Sequence, residues 1–291
     1  MSLLDSIKHL VQDPPAAYAF ELSEAGLAYA TTQAAGFQPG FREFAPGTLI
    51  ASPTEDNIPS TGDVLSTLQA VFPVNGNRKR RAALVLPDYS ARLAVLDFDS
   101  FPSSAEEQMP LVRFRIKKSV PFDIDAAQVG YYVQPSKKNR VQVVAATVSF
   151  EILARYETLF RQAGFQPGEI TVASLAMLEL VRESGVSIVV KLSGRVLTVM
   201  VLEDNALRLV RVVLVESGDT EEILSVLYPT LAYVEDEFGV APSKILYCGF
   251  GPNTAPEFLL NLDLPSESLR GKLGAPGAFN AGLFGYLERA L

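Results

Sequence analysis

The residue types that carry most enzyme chemistry are scarce in this sequence and do not form known catalytic patterns. The chain has one histidine, His9, without neighbouring ligands, so no zinc site is expected. Its one cysteine, Cys248, lies in KILYCGFG, at the predicted end of a buried strand, where a thiol is inert. Neither G-x-S-x-G, nor a P-loop, nor H-E-x-x-H is present. Adjacent acidic residues fall on predicted helix starts and solvated helix faces, at positions 106–107, 221–222 and 235–237.

Composition limits the classes of protein to which the chain can belong. Its 291 residues allow one large or two medium domains, and 48% apolar residues supply a sizeable core. A formal net charge of −8 argues against nucleic acid as the main partner. Two basic clusters, at residues 78–81 and 113–118, are interpreted as a solvated strand flank and a solvated helix face.

The cellular compartment is also predicted from the sequence. A single cysteine precludes an internal disulfide and fits a reducing environment. No apolar run approaches the ~18 residues that span a bilayer, and the N-terminus lacks a signal-peptide pattern. A cytoplasmic protein is therefore expected.

The elements that must position any site are predicted from hydrophobic periodicity and turn chemistry. Residues 2–12 form an amphipathic helix, expected to pack on its own domain, with docking to a partner or a membrane surface as the alternative. A three-strand meander, a helix and a buried strand are predicted twice, at residues 17–86 and 187–248. Residues 91–165 between them are predicted to form an inserted β-α-β-β-α module.

The region from residue 82 to residue 182 resembles a known family. A strand ends in Leu86-Pro87, a helix ends at Val120-Pro121-Phe122, and AGFQPGEI at residues 163–170 precedes a helix rich in Ala and Leu. This succession resembles the PilM-like type IV pilus assembly proteins, and the closing AGLFGYLERAL resembles the last helix of that family. The resemblance implies an α/β fold of the actin-like, RNase H-like duplicated type, with two lobes and an inserted subdomain.

The resemblance also implies domain boundaries. An N-terminal amphipathic segment (1–15) precedes the first lobe (16–90 and 166–185), which carries the inserted α+β subdomain (91–165). Residues 186–291 form the second lobe, with a reduced outer subdomain. The reduction is expected because the strand ending near residue 215 runs directly into a long helix, where the family has some tens of residues that wall the nucleotide cleft.

In actin-like ATPases two hairpins and a glycine-rich turn hold Mg-nucleotide between the lobes, and this sequence departs from those motifs. In the first hairpin Glu21 stands for the usual aspartate and Ser23 for the usual glycine, so a Cβ enters the space for phosphate. In the second hairpin Lys191 replaces the metal-positioning aspartate and Ser193 replaces the glycine. The third motif keeps Gly249 and Gly251, which an ordinary strand-to-helix turn would explain equally well.

The resemblance thus implies a degenerate nucleotide cleft, and the protein is expected to be a pseudo-ATPase rather than an enzyme, with no required cofactor. Binding of ATP and Mg²⁺ stays open, because Lys191 could hold a phosphate as a point charge. The degenerate cleft comprises Ser23, Lys191, Ser193, Gly249 and Gly251.

The function that the resemblance implies is a scaffold of type IV pilus assembly, or of a related secretion system, at the inner face of the inner membrane. Its expected partner is the cytoplasmic tail of a PilN-like inner-membrane protein, lying extended in a groove between the first lobe and the inserted module. The main alternative is a nucleotide-binding actin-like ATPase whose partner binding is nucleotide-controlled. A cell-division protein of the FtsA type and a GspL-type cytoplasmic domain are disfavoured, because both go with a membrane segment that the sequence lacks.

Overall fold

The structure is a computed structural model that describes residues 16–33, 36–37, 39–73, 80–134, 140–251 and 256–289. The predicted helix at residues 2–12 and the turn at 135–139 lie outside these residues. The helices are α1 (Thr61–Val71), α2 (Ala105–Ile116), α3 (Phe150–Gln162), α4 (Ala173–Met177), α5 (Thr220–Phe238) and α6 (Ala281–Arg289). The strands are β1 (Tyr18–Ser23), β2 (Gly26–Gln33), β3 (Gly36–Phe37), β4 (Gly40–Glu43), β5 (Arg80–Leu86), β6 (Arg92–Phe98), β7 (Ala127–Gln134), β8 (Val141–Ser149), β9 (Phe165–Val172), β10 (Val186–Ser193), β11 (Val196–Glu203), β12 (Ala206–Leu214), β13 (Lys244–Cys248) and β14 (Ser266–Ser268).

The first lobe is built on a sheet with the order β3-β2-β1-β5-β9, in which β4 also pairs with β2. Strand β1 is antiparallel to β2 and parallel to β5, so it lies at the centre of the sheet. Both faces of β1 are covered, as expected of a central strand. Phe20 packs with α1 and α3 on one face, and Ala19 packs with α6 on the other.

The inserted module is a three-stranded antiparallel sheet in the order β6-β8-β7, with α2 on one face. Val112 and Ile116 of α2 pack against Val129 of β7 and Val143 of β8. The module is inserted between β5 and β9, which are parallel neighbours in the first sheet. The predicted order β-α-β-β-α is confirmed.

Helix α3, the last element of that order, packs in the first lobe. Its buried residues Tyr156 and Phe160 belong to the same apolar cluster as Phe20, and the ring centroids of Phe20 and Phe160 are 5.1 Å apart. The apolar face of α3 thus completes the aromatic core of the first lobe, while α2 covers the sheet of the module. The predicted module boundary at residue 165 is therefore corrected to the end of β8, at Ser149.

The second lobe repeats the opening of the first, in the order β12-β11-β10-β13-β14. Helix α5 packs on this sheet and has the bounds that the sequence predicts. It begins after Asp219, whose carboxylate accepts a hydrogen bond from the Glu222 N–H at 2.9 Å, and ends at Gly239, which has a left-handed φ of 66°. No helix in the described ranges is long and apolar enough to cross a membrane.

The lobes are joined through the crossing of α4 and α6. A Cβ at Gly285 would lie 2.0 Å from the Ala176 carbonyl oxygen, so the two helices approach at backbone distance. Only glycine fits such a contact. This crossing places the N-terminus of α6 next to the carboxyl end of β1.

Candidate functional site

Three charged residues from both lobes meet at the carboxyl ends of the central strands. Glu21 lies on β1, Asp88 follows β5, and Lys191 lies on β10, where it pairs with Thr198 of β11 and Cys248 of β13. We call Glu21, Asp88 and Lys191 the interlobe charge cluster. All three are buried, at 2%, 1% and 3% exposure.

Lys191 and Asp88 form a buried ion pair between the lobes. The Lys191 Nζ lies 2.8 Å from Oδ2 of Asp88. The same carboxylate accepts hydrogen bonds from the Thr198 hydroxyl at 2.8 Å and from the Ser174 N–H at 2.7 Å. The pair is thus fully hydrogen-bonded on the acidic side, as a buried charge requires.

The pKa values of the two groups move apart, so the pair stays charged. Burial by itself would raise the pKa of Asp88, but the Lys191 ammonium and the hydrogen bonds to Asp88 outweigh it, and the pKa is lowered. Burial would likewise lower the pKa of Lys191, but the Asp88 and Glu21 carboxylates raise it overall.

Glu21 is held by the N-terminus of α6. Its Oε2 accepts a hydrogen bond from the Leu283 N–H at 2.7 Å, one of the helix amides that has no partner within the helix. Burial raises the pKa of Glu21 to about 7, although Lys191 and the Leu283 amide favour the charged form. Glu21 therefore joins β1 to the last helix.

The two serines at the predicted glycine positions lie at the ends of the hairpins. The hydroxyl of Ser23 donates to the Gly26 carbonyl at 3.1 Å and accepts from the Gly26 N–H at 3.2 Å, which closes the turn between β1 and β2. Ser193 ends β10 next to Gly194 and is half-buried. Unlike Glu21 and Lys191, neither serine contributes a charge to the cluster.

The two glycines of the motif after β13 have different surroundings. A Cβ on Gly249, whose φ is +88°, would lie 1.8 Å from the Leu192 carbonyl oxygen, so Gly249 is required for contact with β10. A Cβ on Gly251, whose φ is +86°, would meet none of the described atoms within 4 Å. Cys248 is buried as predicted; burial, offset in part by Lys191, raises the pKa of its thiol to about 12.

Sequence reasoning missed Asp88, Ser174 and Thr198. Two features of the sequence indicated Asp88. It is an acid directly after Leu86-Pro87, at the carboxyl end of a buried parallel strand. In addition, the apolar strand β10 contains a lysine, and a buried lysine needs a buried acid as its partner. Within the described residues, no group of three or more His, Cys, Asp and Glu side chains could hold a metal ion.

A groove of about 290 Å³ separates the inserted module from the first lobe. Strand β7 forms one wall, and it is an edge strand that pairs with β8. The opposite wall comes from β5, β9, α3 and α4. The lining is mainly apolar and consists of Leu86, Gln128, Gly130, Tyr131, Tyr132, Val144, Ala146, Val148, Leu153, Ile170, Thr171, Val172 and Leu175.

A second, charged depression of about 560 Å³ adjoins this groove, because Tyr132 and Leu175 line both. Its walls include the Glu203–Arg208 ion pair, with 2.9 Å between the charged atoms. Between the module and the second lobe, the amide of Gln134 exchanges two hydrogen bonds of 2.7 Å with the backbone N–H and carbonyl of Leu207. We call this contact the Gln134 clasp.

Comparison with known proteins agrees with the architecture. No protein-family model matches the chain, and no curated protein is similar to it in sequence. The chain is similar to a solved structure described as a PilM-PilN type IV pilus biogenesis complex, with 16% identity, a TM-score of 0.74, and coverage of 96% of this chain and 99% of that one.

Two further solved structures have the same overall arrangement. One is the cytoplasmic domain of EpsL, an inner-membrane component of the type II secretion system of Vibrio cholerae (14% identity, TM-score 0.55, 93% and 94% coverage). The other is a Bacteroides thetaiotaomicron protein with an actin-like ATPase fold (13% identity, TM-score 0.57, 92% and 95% coverage). The chain therefore has the actin-like fold. Within that fold it is most like PilM among these three structures.

Proposed function

We propose that this protein is a cytoplasmic scaffold of a type IV pilus or related secretion assembly. It binds the extended cytoplasmic tail of a PilN-like inner-membrane protein, and it does so without ATP hydrolysis. The observation that carries the proposal is the apolar groove between the first lobe and the inserted module, in a fold similar to PilM in its complex with PilN.

The groove has the features that peptide binding requires. The edge strand β7 offers backbone groups for pairing with an added strand, and the apolar lining offers pockets for alternate side chains. The stretch from Gln128 to Gln134 is about 20 Å long, enough for six or seven extended residues. Tyr132 and Val133 on this strand are 43% and 46% exposed, which leaves apolar surface for a partner to cover.

The charge cluster supports the second part of the proposal. Carboxylates in a nucleotide cleft position Mg²⁺ and its waters, but here the Lys191 ammonium is bonded to Asp88 and within electrostatic reach of Glu21. Lys191 thus supplies the positive charge that Mg²⁺ would otherwise bring to these carboxylates. A divalent cation placed beside this ammonium would meet like-charge repulsion in a buried site, so the residues present do not fit Mg-nucleotide.

The test of the groove uses a fluorescent synthetic peptide with the sequence of the cytoplasmic tail of the PilN-like protein encoded in the same genome. A Cβ on Gly130 meets no described atom within 4 Å, so the backbone at Gly130 tolerates a side chain, and Gly130→Val adds volume to the groove. We expect this variant to fold normally and to bind the peptide at least about tenfold more weakly.

The matched control is Gly168→Val on β9, where a Cβ would make an ordinary contact of 3.7 Å with Arg81. This glycine does not line the groove, so the control should bind the peptide like the natural chain. Equal binding by all three proteins would place the partner elsewhere and reject the groove.

The test of the cleft is thermal unfolding with millimolar Mg-ATP or Mg-ADP. A ligand that binds only the folded chain raises its melting temperature, and the stabilisation grows with the logarithm of the ratio of ligand concentration to dissociation constant. We expect no shift. A clear shift would show that the cleft binds nucleotide and would favour nucleotide control of partner binding, and phosphate release from the bound ATP would then reject the pseudo-ATPase; neither outcome alters the peptide result.

A further inference from the structure

We propose that the outward face of α2 binds an anionic lipid surface. The face is formed by Phe114, Lys117 and Lys118 at the end of the helix. It is separate from the peptide groove, and the inference goes beyond the proposed function in giving the protein a direct contact with the membrane.

The position of α2 makes this face available. Val112 and Ile116 pack on Val129 and Val143, on one side of the sheet of the module. The groove is lined by Gly130 and other residues that point to the opposite side, since side chains alternate along strands. The outward face of α2 therefore points away from the groove and stays exposed when a peptide occupies it.

Phe114 is the feature that helix stability does not explain. It is 76% exposed, more than any other aromatic side chain in the described part of the chain. Basic residues near a helix C-terminus stabilise the helix through its dipole. An exposed phenylalanine between them adds no such stabilisation. An exposed aromatic side chain can insert at the boundary between headgroups and acyl chains, and basic side chains beside it are attracted to anionic lipids.

The basic residues near Phe114 differ in whether their side chains bond other parts of the chain. Arg113 donates to the Ala127 carbonyl at 3.2 Å, and Arg115 donates to the Asp97 carbonyl at 3.0 Å. Lys117 and Lys118 are both exposed, and no hydrogen bond or ion pair from either side-chain ammonium to another described residue is present. These two charges are therefore available for an external anion.

The distribution of charge favours an anionic surface on this side. Residues 92–149 contain eight basic and six acidic residues, whereas the rest of the chain contains seventeen basic and twenty-seven acidic ones. The electrostatic field of the protein would thus orient the inserted module toward a negatively charged surface. A convex helix face fits a planar lipid surface better than an extended acidic peptide, which needs a groove or a sheet edge.

The test is co-sedimentation of the full chain with vesicles of phosphatidylethanolamine and phosphatidylglycerol, and with vesicles of phosphatidylcholine alone, at low salt. We expect binding to the anionic vesicles, weakened by added salt. Lys117→Glu/Lys118→Glu should lower the partition coefficient at least about twentyfold, and Phe114→Ser at least about tenfold. Melting temperatures should not change, because all three residues are exposed.

The matched control is Arg270→Glu/Lys272→Glu, which changes the net charge equally at two exposed positions outside α2. It should bind anionic vesicles like the natural chain. The proposal is overturned if the natural chain does not bind, if the control loses binding equally, or if binding survives in the α2 variants. Binding to soluble polyglutamate that Phe114→Ser leaves intact would assign the face to an acidic protein instead.

Discussion

The Nζ of Lys191 and the Oδ2 of Asp88 lie 2.8 Å apart, and the two residues belong to opposite lobes of the fold. The contact is buried and joins positions 103 residues apart in the sequence. Asp88 also accepts a hydrogen bond from the Thr198 hydroxyl of β11. The contact therefore joins the first lobe to the second.

Removing one partner of this ion pair should be strongly destabilising. Lys191→Met leaves Asp88 as an uncompensated buried carboxylate, which costs about 3–5 kcal/mol of the free energy of unfolding. Urea denaturation measures this change. In the double variant Lys191→Met/Asp88→Asn, the amide can still bond Ser174 and Thr198, so most of the stability should return.

The exposed pair of Arg155 and Asp56, whose charged atoms are 2.9 Å apart, gives the control. Arg155→Met should cost less than about 1 kcal/mol, because solvent screens this pair. If Lys191→Met were no worse than Arg155→Met, the buried pair would not contribute to the joining of the lobes.

Glu21 should give the stability of the protein a characteristic pH dependence. Its pKa is about 7 in the folded chain and ~4.3 in an unfolded one, so between these values the folded state binds more protons than the unfolded state. The free energy of unfolding therefore falls as the pH rises from 4.5 to 7, by up to about 3 kcal/mol. The contribution of Glu21 changes little further above pH 8.

Glu21→Gln keeps an acceptor for the Leu283 N–H and removes this titration. Denaturation curves at pH 5, 6, 7 and 8 should show that the free energy of unfolding of the variant rises relative to that of the natural chain as the pH rises. The full difference should be reached at pH 8. Parallel pH profiles for the two proteins would mean that Glu21 titrates normally and that its burial has no energetic effect.

The two glycines of the turn after β13 should respond differently to alanine. Both have a left-handed backbone, so each substitution costs about 1 kcal/mol in strain. Gly249→Ala also drives a Cβ into the Leu192 carbonyl and should cost about 3 kcal/mol or more in total.

Gly251→Ala should show the backbone cost alone, because no described atom lies within 4 Å of a Cβ at this position. Thermal or urea denaturation of both variants measures the difference between them. Equal costs would show that the contact between Gly249 and β10 is not tight. The glycines would then be interpreted as part of a ligand-binding turn.

The Gln134 clasp should control how firmly the inserted module is attached to the second lobe. Gln134→Leu leaves a buried N–H and a buried carbonyl of Leu207 without partners, at a cost of about 1–3 kcal/mol. Native-state hydrogen exchange of the Leu207 amide should accelerate by at least about tenfold, since this amide donates to Gln134.

Gln142 is the register partner of Gln134 on β8 and bonds an exposed carboxylate, that of Asp97, at 2.8 Å. Gln142→Leu should leave exchange of the Leu207 amide unchanged. Faster exchange in both variants would show that the loss of polar groups in β7 and β8, and not the clasp, loosens the module.

The sequence determined the elements that depend on local chemistry. The continuous apolar run of β5 predicts a central strand, and the duplicated order of strands and helices predicts two lobes. Asp219 and Gly239 fix the bounds of α5, because a capping carboxylate and a left-handed glycine act within one turn of the helix.

Tertiary structure decided which elements pack together and which charges meet. The periodicity of α3 shows that one face is apolar, but the partner of that face, the aromatic cluster around Phe20, is assembled from distant strands. In the same way, Lys191 and Glu21 are visible in the sequence as departures from a motif, but their relation to Asp88 is not. That relation depends on how two sheets face each other, and a buried lysine is stable only where the complete fold brings an acid within hydrogen-bond distance.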